Sequence, residues 1–266
     1  VWRQSWKHHG TPRPVVMLAS SRDGEEALWL KALMANTDRL TALKAAGVVW
    51  LLVPRHPQRF DDIHAWLTAQ GLAVVRRSSW DVGPPLQVPS EQVTVCLGDS
   101  LGEMPVYFQS ADMALLGGSF MPLGGQNLIE AAAFGCPVIM GPHTFNFAEA
   151  AETAVRLGAA VRVADLEAAL RQLQAWAADG PSRLAAESAC QTLIAQGSGM
   201  PLLDYARHKL FAPLGIDKAE WTPGTNGEAA AASGLRLRAR DLARIGQLVL
   251  QQGEWQGRAL VPRHWI

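Results

Sequence analysis

From residue 15 onward, short runs that are apolar throughout alternate with segments whose apolar residues recur at helical spacing. Residues 15–19, 48–53, 93–97, 113–116 and 137–140 form the runs. They do not alternate apolar with polar, so they predict strands buried on both faces. An Ala/Leu-rich helix is expected over residues 25–35, and another after Phe60, where Ile63, Trp66 and Leu67 share one face. Helical patterns also follow the last three runs. Strand–helix–strand repetition of this kind predicts an α/β, Rossmann-like parallel sheet. Two consecutive helices, residues 165–177 and 183–195, close the lobe, and residues 80–90, with Gly83-Pro84-Pro85 and Pro89, read as a loop within it.

The texture changes near Gly197-Ser198-Gly199. A helix over residues 202–210 has Tyr205, Leu210 and Phe211 on its apolar side and stops at Pro213-Leu214-Gly215. Residues 222–228 are turn-rich, and Leu235-Arg236-Leu237 leads into a helix over residues 240–250. The strand–helix alternation does not continue. The expected organisation is a domain over residues 1–197 followed by a mostly helical, loop-rich tail over residues 198–266.

Composition narrows the function classes. Of 266 residues, 24 are Lys or Arg and 24 are Asp or Glu, so no global field steers the chain to nucleic acid or anionic lipid. Any anion must be held by local geometry. Cys96, Cys136 and Cys190 lie far apart in or beside apolar segments and read as small buried hydrophobes, which suits a reducing compartment. His8-His9 is the one adjacent histidine pair and reads as a solvated turn, so no metal site is expected. No apolar run reaches the length of a bilayer span.

In open parallel sheets, ligands bind outside the carboxyl ends of the strands. Four segments fall at such positions. In Ser20-Ser21-Arg22-Asp23-Gly24-Glu25-Glu26, the hydroxyls and Arg22 can face a sugar or phosphate; alternatively Ser21 or Asp23 caps the helix, with the Glu pair at its positive end. In Pro54-Arg55-His56-Pro57, Arg55 offers a planar donor fork suited to phosphate, or serves as a surface ion-pair residue. In Gly98-Asp99-Ser100-Leu101-Gly102-Glu103, the glycines let backbone N–H groups approach an anion, and Glu103 either complements the helix dipole or accepts from a ribose. The fourth runs from Gly117-Gly118-Ser119 to Gly124-Gly125-Gln126-Asn127-Leu128-Ile129-Glu130. Its four glycines make sense where backbone passes close to a ligand. Asn127 and Glu130 have capping-box spacing; the functional reading gives Glu130 a ribose diol.

The order of these motifs over residues 13–196, continued by Gly141-Pro142-His143-Thr144-Phe145-Asn146-Phe147, resembles the C-terminal half of bacterial 3-deoxy-D-manno-octulosonic acid (Kdo) transferases. The resemblance implies one lobe of a two-lobed GT-B glycosyltransferase that needs no metal or other cofactor and uses CMP-Kdo to glycosylate a lipid A precursor in lipopolysaccharide core biosynthesis. It implies that Arg55, His56, Leu101, Gly102, Glu103, Asn127, Leu128, Ile129 and Glu130 contact the CMP part of the donor. Ser21, Arg22, Gly118, Ser119 and Gly125 form a wider rim. Gln126 departs from the pattern, since many members have His there. In the family an N-terminal lobe carries the catalytic base, the acceptor groove and usually a membrane anchor at the cytoplasmic face of the bacterial inner membrane. These motifs do not include that lobe, so no catalytic residue is assigned, and acceptor and membrane contact are expected only through it.

The tail resembles part of serine β-lactamase-related hydrolases, in Gly199-Met200-Pro201-Leu202-Leu203-Asp204-Tyr205-Ala206, Phe211-Ala212-Pro213-Leu214-Gly215-Ile216, Ser233-Gly234-Leu235-Arg236-Leu237, Arg240-Asp241-Leu242-Ala243, Gly253-x-Trp255-x-Gly257 and Val261-Pro262-x-x-Trp265. It has no Ser-x-x-Lys, Tyr-x-Asn or Lys-Thr-Gly, and Ser233 has no base near it in sequence, so it reads as a turn residue. Three functions follow: the donor-binding half of a glycosyltransferase, a hydrolase-derived fragment or fusion, and a non-enzymatic nucleotide-binding module.

Overall fold

The computed structural model describes residues 7–8, 11–80, 93–198, 202–221, 235–261 and 263. The expected loop over 80–90 (beyond Trp80), His9, the turn at 222–228 and Ser233 lie outside them. The chain divides into two compact units, Val1–Cys190 and Gln191–Ile266, where the sequence pattern placed its boundary at about residue 197.

The first unit is built on seven parallel strands: β1 (Val15–Ser21), β2 (Val49–Pro54), β3 (Ala73–Arg76), β4 (Thr94–Leu97), β5 (Met113–Leu116), β6 (Val138–Met140) and β7 (Ala160–Arg162). Their order is β3-β4-β2-β1-β5-β6-β7. All of β2, β4, β5 and β6 is buried, as unbroken apolar runs require when helices cover both faces. The two strands absent from the sequence reading are the edges, β3 and β7. β3 is only partly buried along its length, so its short Ala-Val-Val-Arg run carries a weak signal.

Helix α1 (Glu25–Met34) is followed at once by α2 (Thr37–Ala45), entered through Asn36, whose Oδ1 accepts from Arg39 N at 2.8 Å. The sequence pattern missed α2: only Arg39 and Leu43 are buried on it, too few to mark a face. α3 (Phe60–Ala69) follows β2 and packs on β3, and α4 (Met104–Ser110), α5 (Leu128–Ala133) and α6 (Ala148–Leu157) follow β4, β5 and the β6 loop. α7 (Leu166–Ala178), capped by Asp165 through Ala168 N at 2.7 Å, packs on α1, and α8 (Gly180–Ser198) follows. The core gathers Val16, Leu18, Trp29, Trp50, Leu97 and Leu173, with the Trp29 and Trp50 rings edge to face at 5.1 Å. Cys96, Cys136 and Cys190 are free and buried, and burial pushes the Cys96 and Cys190 thiols up to about 12.

The second unit has a small core of Phe211, Leu214, Ile216 and Leu248. The expected helix over 202–210 is α-helical only as α9 (Leu202–Ala206); the chain then widens into a π turn, Arg207–Phe211. α10 (Ala239–Leu250) buries Asp241, whose carboxylate accepts from Arg238 Nε at 2.5 Å and Arg244 Nη1 at 3.2 Å. Two antiparallel ribbons, Glu220–Trp221 with Leu235–Arg236 and Glu254–Trp255 with Arg258–Ala259, add strand pairing that the sequence pattern did not show. The second closes through Gln256 and Gly257, both at positive φ (50° and 77°), as a tight hairpin turn requires.

Candidate functional site

Sheet order reverses across β1: the chain builds outward on the β2 side and then crosses to β5, so β1 and β5 flank the switch point where such sheets bind ligands. The loops after β1, β2, β4, β5 and β6 share this end of the sheet, and the four rim segments singled out in the sequence lie on them or on the helix starts they lead into.

Around the switch point the glycines serve the protein's own backbone first. A Cβ on Gly117 would sit 2.3 Å from Ser20 O, and one on Gly141 would sit 2.3 Å from Ser119 O. Gly125 N donates to Gly118 O at 2.8 Å, His143 N to Ser119 O at 3.1 Å and Asn146 N to Gly124 O at 3.1 Å. The expectation that glycine density marks backbone approaching a ligand is therefore corrected in part: these glycines let three loops pack on one another.

The wider rim is corrected in the same way. Ser21 is fully buried with its Oγ donating to Glu26 Oε1 at 2.6 Å. Ser119 is fully buried too, its Oγ bonded to Leu116 O and accepting from Gly141 N at 2.9 Å. Gly118 N donates to Glu25 Oε2 at 2.7 Å. None of these groups is free to face a sugar. Arg22 is half-buried and is held through its backbone, its N–H donating to Glu25 Oε2 at 2.9 Å and its carbonyl accepting from Glu25 N at 3.0 Å.

Glu25 and Glu26 were read as helix-dipole partners; both are buried and do more. Glu25 accepts from Arg22 N, Gly118 N and Phe120 N, clasping the β5 loop to the start of α1. Burial pushes its carboxyl above the usual range, and those three N–H donors oppose the shift. Glu26 takes a two-point contact from Arg59, at 2.9 and 3.1 Å. Sequence inspection could see only the local donors, Arg22 N and the Ser21 hydroxyl; Gly118, Phe120 and Arg59 are remote in the chain and reach the pair only in the fold.

The third rim segment is held from β3. Asp99 accepts from Arg76 Nε at 2.5 Å, Ser78 N at 2.7 Å and Ser78 Oγ at 2.6 Å. Glu103 accepts from Arg77 Nη2 at 2.7 Å and from Ser100 Oγ. Burial would raise the Glu103 carboxyl, but the Ser100 and Arg77 bonds outweigh it and hold the group below its usual range. It is a fixed anion. Leu101 and Gly102 are exposed beside it, Gly102 at φ 76°.

Asn127 caps α5, its Oδ1 accepting from Ile129 N at 3.1 Å. Leu128 is buried, so its side chain belongs to the core, while Ile129 is exposed. Glu130 is half-buried: burial raises its carboxyl above the usual range, and the Arg55 cation opposes this. The fold thus brings Arg55 and Glu130, distant in sequence, within electrostatic reach. They form no ion pair, and neither has another ion-pair or hydrogen-bonding side-chain partner among the described residues. Arg55 is exposed and His56 half-buried. β2 and β5 are the two neighbours of β1, so the loop bearing Arg55 and the loop that leads into α5, where Glu130 lies, leave the sheet about 10 Å apart.

A groove of about 610 Å³ lined by Leu28, Lys31, Phe120, Asp165 and Leu166 includes none of the residues picked from sequence. No group of three or more His, Cys, Asp or Glu among the described residues is placed to hold a metal, and no described helix is long and apolar enough to cross a membrane.

No protein-family model matches the chain. It is 52% identical over 162 residues to the 3-deoxy-D-manno-octulosonic acid transferase of Bordetella pertussis, covering 60% of this chain and 36% of that protein. The transferase of Haemophilus influenzae is 38% identical over 147 residues, covering 55% of this chain and 31% of that one. The chain therefore spans about a third of the length of these curated relatives. None of the relatives described here is a hydrolase, so the likeness of residues 198–266 to serine β-lactamase-related hydrolases rests on its sequence motifs alone. Among solved structures, the C-terminal CMP-Kdo binding domain of WaaA from Acinetobacter baumannii superposes with a TM-score of 0.60 at 26% identity, covering 68% of this chain and 89% of that domain. The chain is homologous, over the greater part of its length, to the C-terminal half of Kdo transferases.

Proposed function

We propose that the α/β unit binds the CMP portion of CMP-Kdo and serves as the donor half of a GT-B Kdo transferase. The observation that carries this reading is the pairing of an exposed Arg55 with a half-buried Glu130 across the switch point, coupled electrostatically yet not bonded to each other. Homology to Kdo transferases and likeness to a CMP-Kdo binding domain support it. Arg55 and His56 take the phosphate, Glu130 the ribose hydroxyls, and Leu101, Gly102 and Glu103 line the nucleoside side. Asn127 and Leu128 contribute through position and backbone, Ile129 through its exposed side chain. From the wider rim Arg22 alone keeps a free side chain.

Transfer to a lipid A precursor, at the cytoplasmic face of the bacterial inner membrane, belongs in this reading to the two-lobed enzyme, with acceptor and base on the other lobe. The test is calorimetric titration with CMP and with inorganic phosphate. CMP should bind without added metal, and Glu130→Ala should weaken CMP about ten-fold, the order of a charge-assisted hydrogen bond. Phosphate, which a carboxylate repels, should bind the variant at least as well as the parent. Equal loss for both ligands would reject the ribose role, and no CMP binding by the parent would reject the function.

A further inference from the structure

Ser20, the penultimate residue of β1, has a conformation that L-residues rarely adopt, at φ 54°. The register between β1 and β2 slips at this residue, Ala19 pairing with Val53 and Ser21 with Pro54. Three contacts hold the bulge in place: Gly117 N donates to Ala19 O at 2.8 Å, Arg55 N donates to Ser21 O at 2.9 Å, and the Ser21 hydroxyl is tied to Glu26. Gly117 must be glycine for the bulge to fit, since any Cβ there would meet Ser20 O. A left-handed non-glycine residue persists only where its surroundings over-determine it, and such residues cluster at ligand sites. A glycine would meet the backbone need more easily, so the presence of a side chain here calls for a reason.

The position supplies one. β1 lies between β2 and β5, so Ser20 stands on the middle strand, between the loop that carries Arg55 and the loop that leads into α5 and Glu130. It is half-buried, and its hydroxyl has no hydrogen-bond partner among the described residues. Adjacent strands are about 4.8 Å apart, and Arg55 N bonds to Ser21 O at 2.9 Å, so the backbones of Ser20 and Arg55 are close neighbours at this end of the sheet. Ser21 and Ser119, by contrast, turn their hydroxyls into the protein.

We propose that Ser20 is a donor-binding residue whose hydroxyl donates to a phosphoryl oxygen held by Arg55. This rests on the CMP-binding reading above. On this proposal the register slip at Ser20 sets the side chain off the regular alternation of the strand.

Calorimetry with CMP and with cytidine tests it, using the parent, Ser20→Ala and Ser20→Gly, together with thermal unfolding of each. Both variants should bind CMP about ten-fold more weakly. Cytidine, which lacks the phosphate, should bind all three alike. Ser20→Gly should melt no lower than the parent, because glycine relieves the left-handed backbone; a binding loss in a protein of undiminished stability separates ligand contact from a structural role. CMP affinity within two-fold of the parent in both variants overturns the proposal while leaving the function standing. Equal loss of CMP and cytidine overturns it too, in favour of a structural role. A parent that binds neither ligand rejects the donor-site reading and this role with it.

Discussion

Asp99 sits under the candidate site with a fully buried side chain, surrounded by three donors from a neighbouring segment. Burial alone would push its carboxyl up; the Ser78 bonds and Arg76 outweigh that and hold it below the usual carboxylate range. A depressed acid stabilises the fold above its unfolded-state pKa of about 3.9, and that stability is lost as pH falls through the folded value. Asp99→Asn should therefore lower stability by about 2 kcal/mol at neutral pH, the scale of a charge-assisted bond left half-made. The gap between variant and parent in urea unfolding should shrink as pH drops below about 4. A gap that stays constant across that range would show that the carboxylate's charge is not what matters. The same residue illustrates why rim carboxylates differ: Asp99 and Glu103 are satisfied internally, and Glu130 is not.

At the scale of elements, loops at one end of the sheet are fastened to each other by glycine contacts and by Glu25. Gly141→Ala places a methyl 2.3 Å from Ser119 O and 2.9 Å from Phe120 Cα, both backbone atoms that cannot swing aside. It should destabilise the first unit by about 3 kcal/mol or more and weaken CMP binding through the shifted β5 loop. Gly246, by contrast, is exposed inside α10 with nothing within 4 Å of its built Cβ. Gly246→Ala should stabilise the second unit by about 0.8 kcal/mol, as alanine does in an open helix. Denaturant unfolding of the two variants checks both signs; a Gly141→Ala protein as stable as the parent would show that the three loops are loosely joined. α2, β3 and β7 were not legible in the sequence because each is short and half-exposed, so neither helical nor alternating periodicity accumulates over its length.

For the whole molecule, binding a donor and transferring its sugar are separate matters. Transfer needs an acceptor hydroxyl and a base placed against the anomeric carbon, opposite the departing CMP. Such positioning supplies about 7–11 kcal/mol of the barrier, and a placed base about 100- to 10,000-fold more. Glu103 is held by Arg77 and Ser100, and Glu130 is given to the ribose hydroxyls in the function proposed above, which leaves neither for that task. This 266-residue polypeptide should therefore bind CMP yet transfer no Kdo to a lipid A precursor, and should not hydrolyse nitrocefin, since residues 198–266 hold no Ser-x-x-Lys. Transfer abolished by Glu103→Gln or Glu130→Gln, measured by product mass, would overturn the division of labour. Nitrocefin turnover abolished by Ser233→Ala would give the tail a chemistry of its own.

The sequence by itself determined the α/β class, the five central strands, and the set of loops on which Arg55, Glu103 and Glu130 lie, because unbroken apolar runs and glycine-rich strand ends are local patterns. It also carried the resemblance to Kdo transferases, since motif order survives without any structure. Which rim groups are free was decided only by the tertiary structure. Ser21 and Ser119 look like ligand hydroxyls until Glu26, Leu116 and Gly141 claim them, and Glu25 looks like a dipole partner until Gly118 and Phe120 reach it. The coupling of Arg55 to Glu130, and the left-handed turn that sets Ser20 between them, depend on β1 lying between β2 and β5. Hydrogen bonds form between groups brought together across the sheet, and linear spacing carries no record of which strands become neighbours.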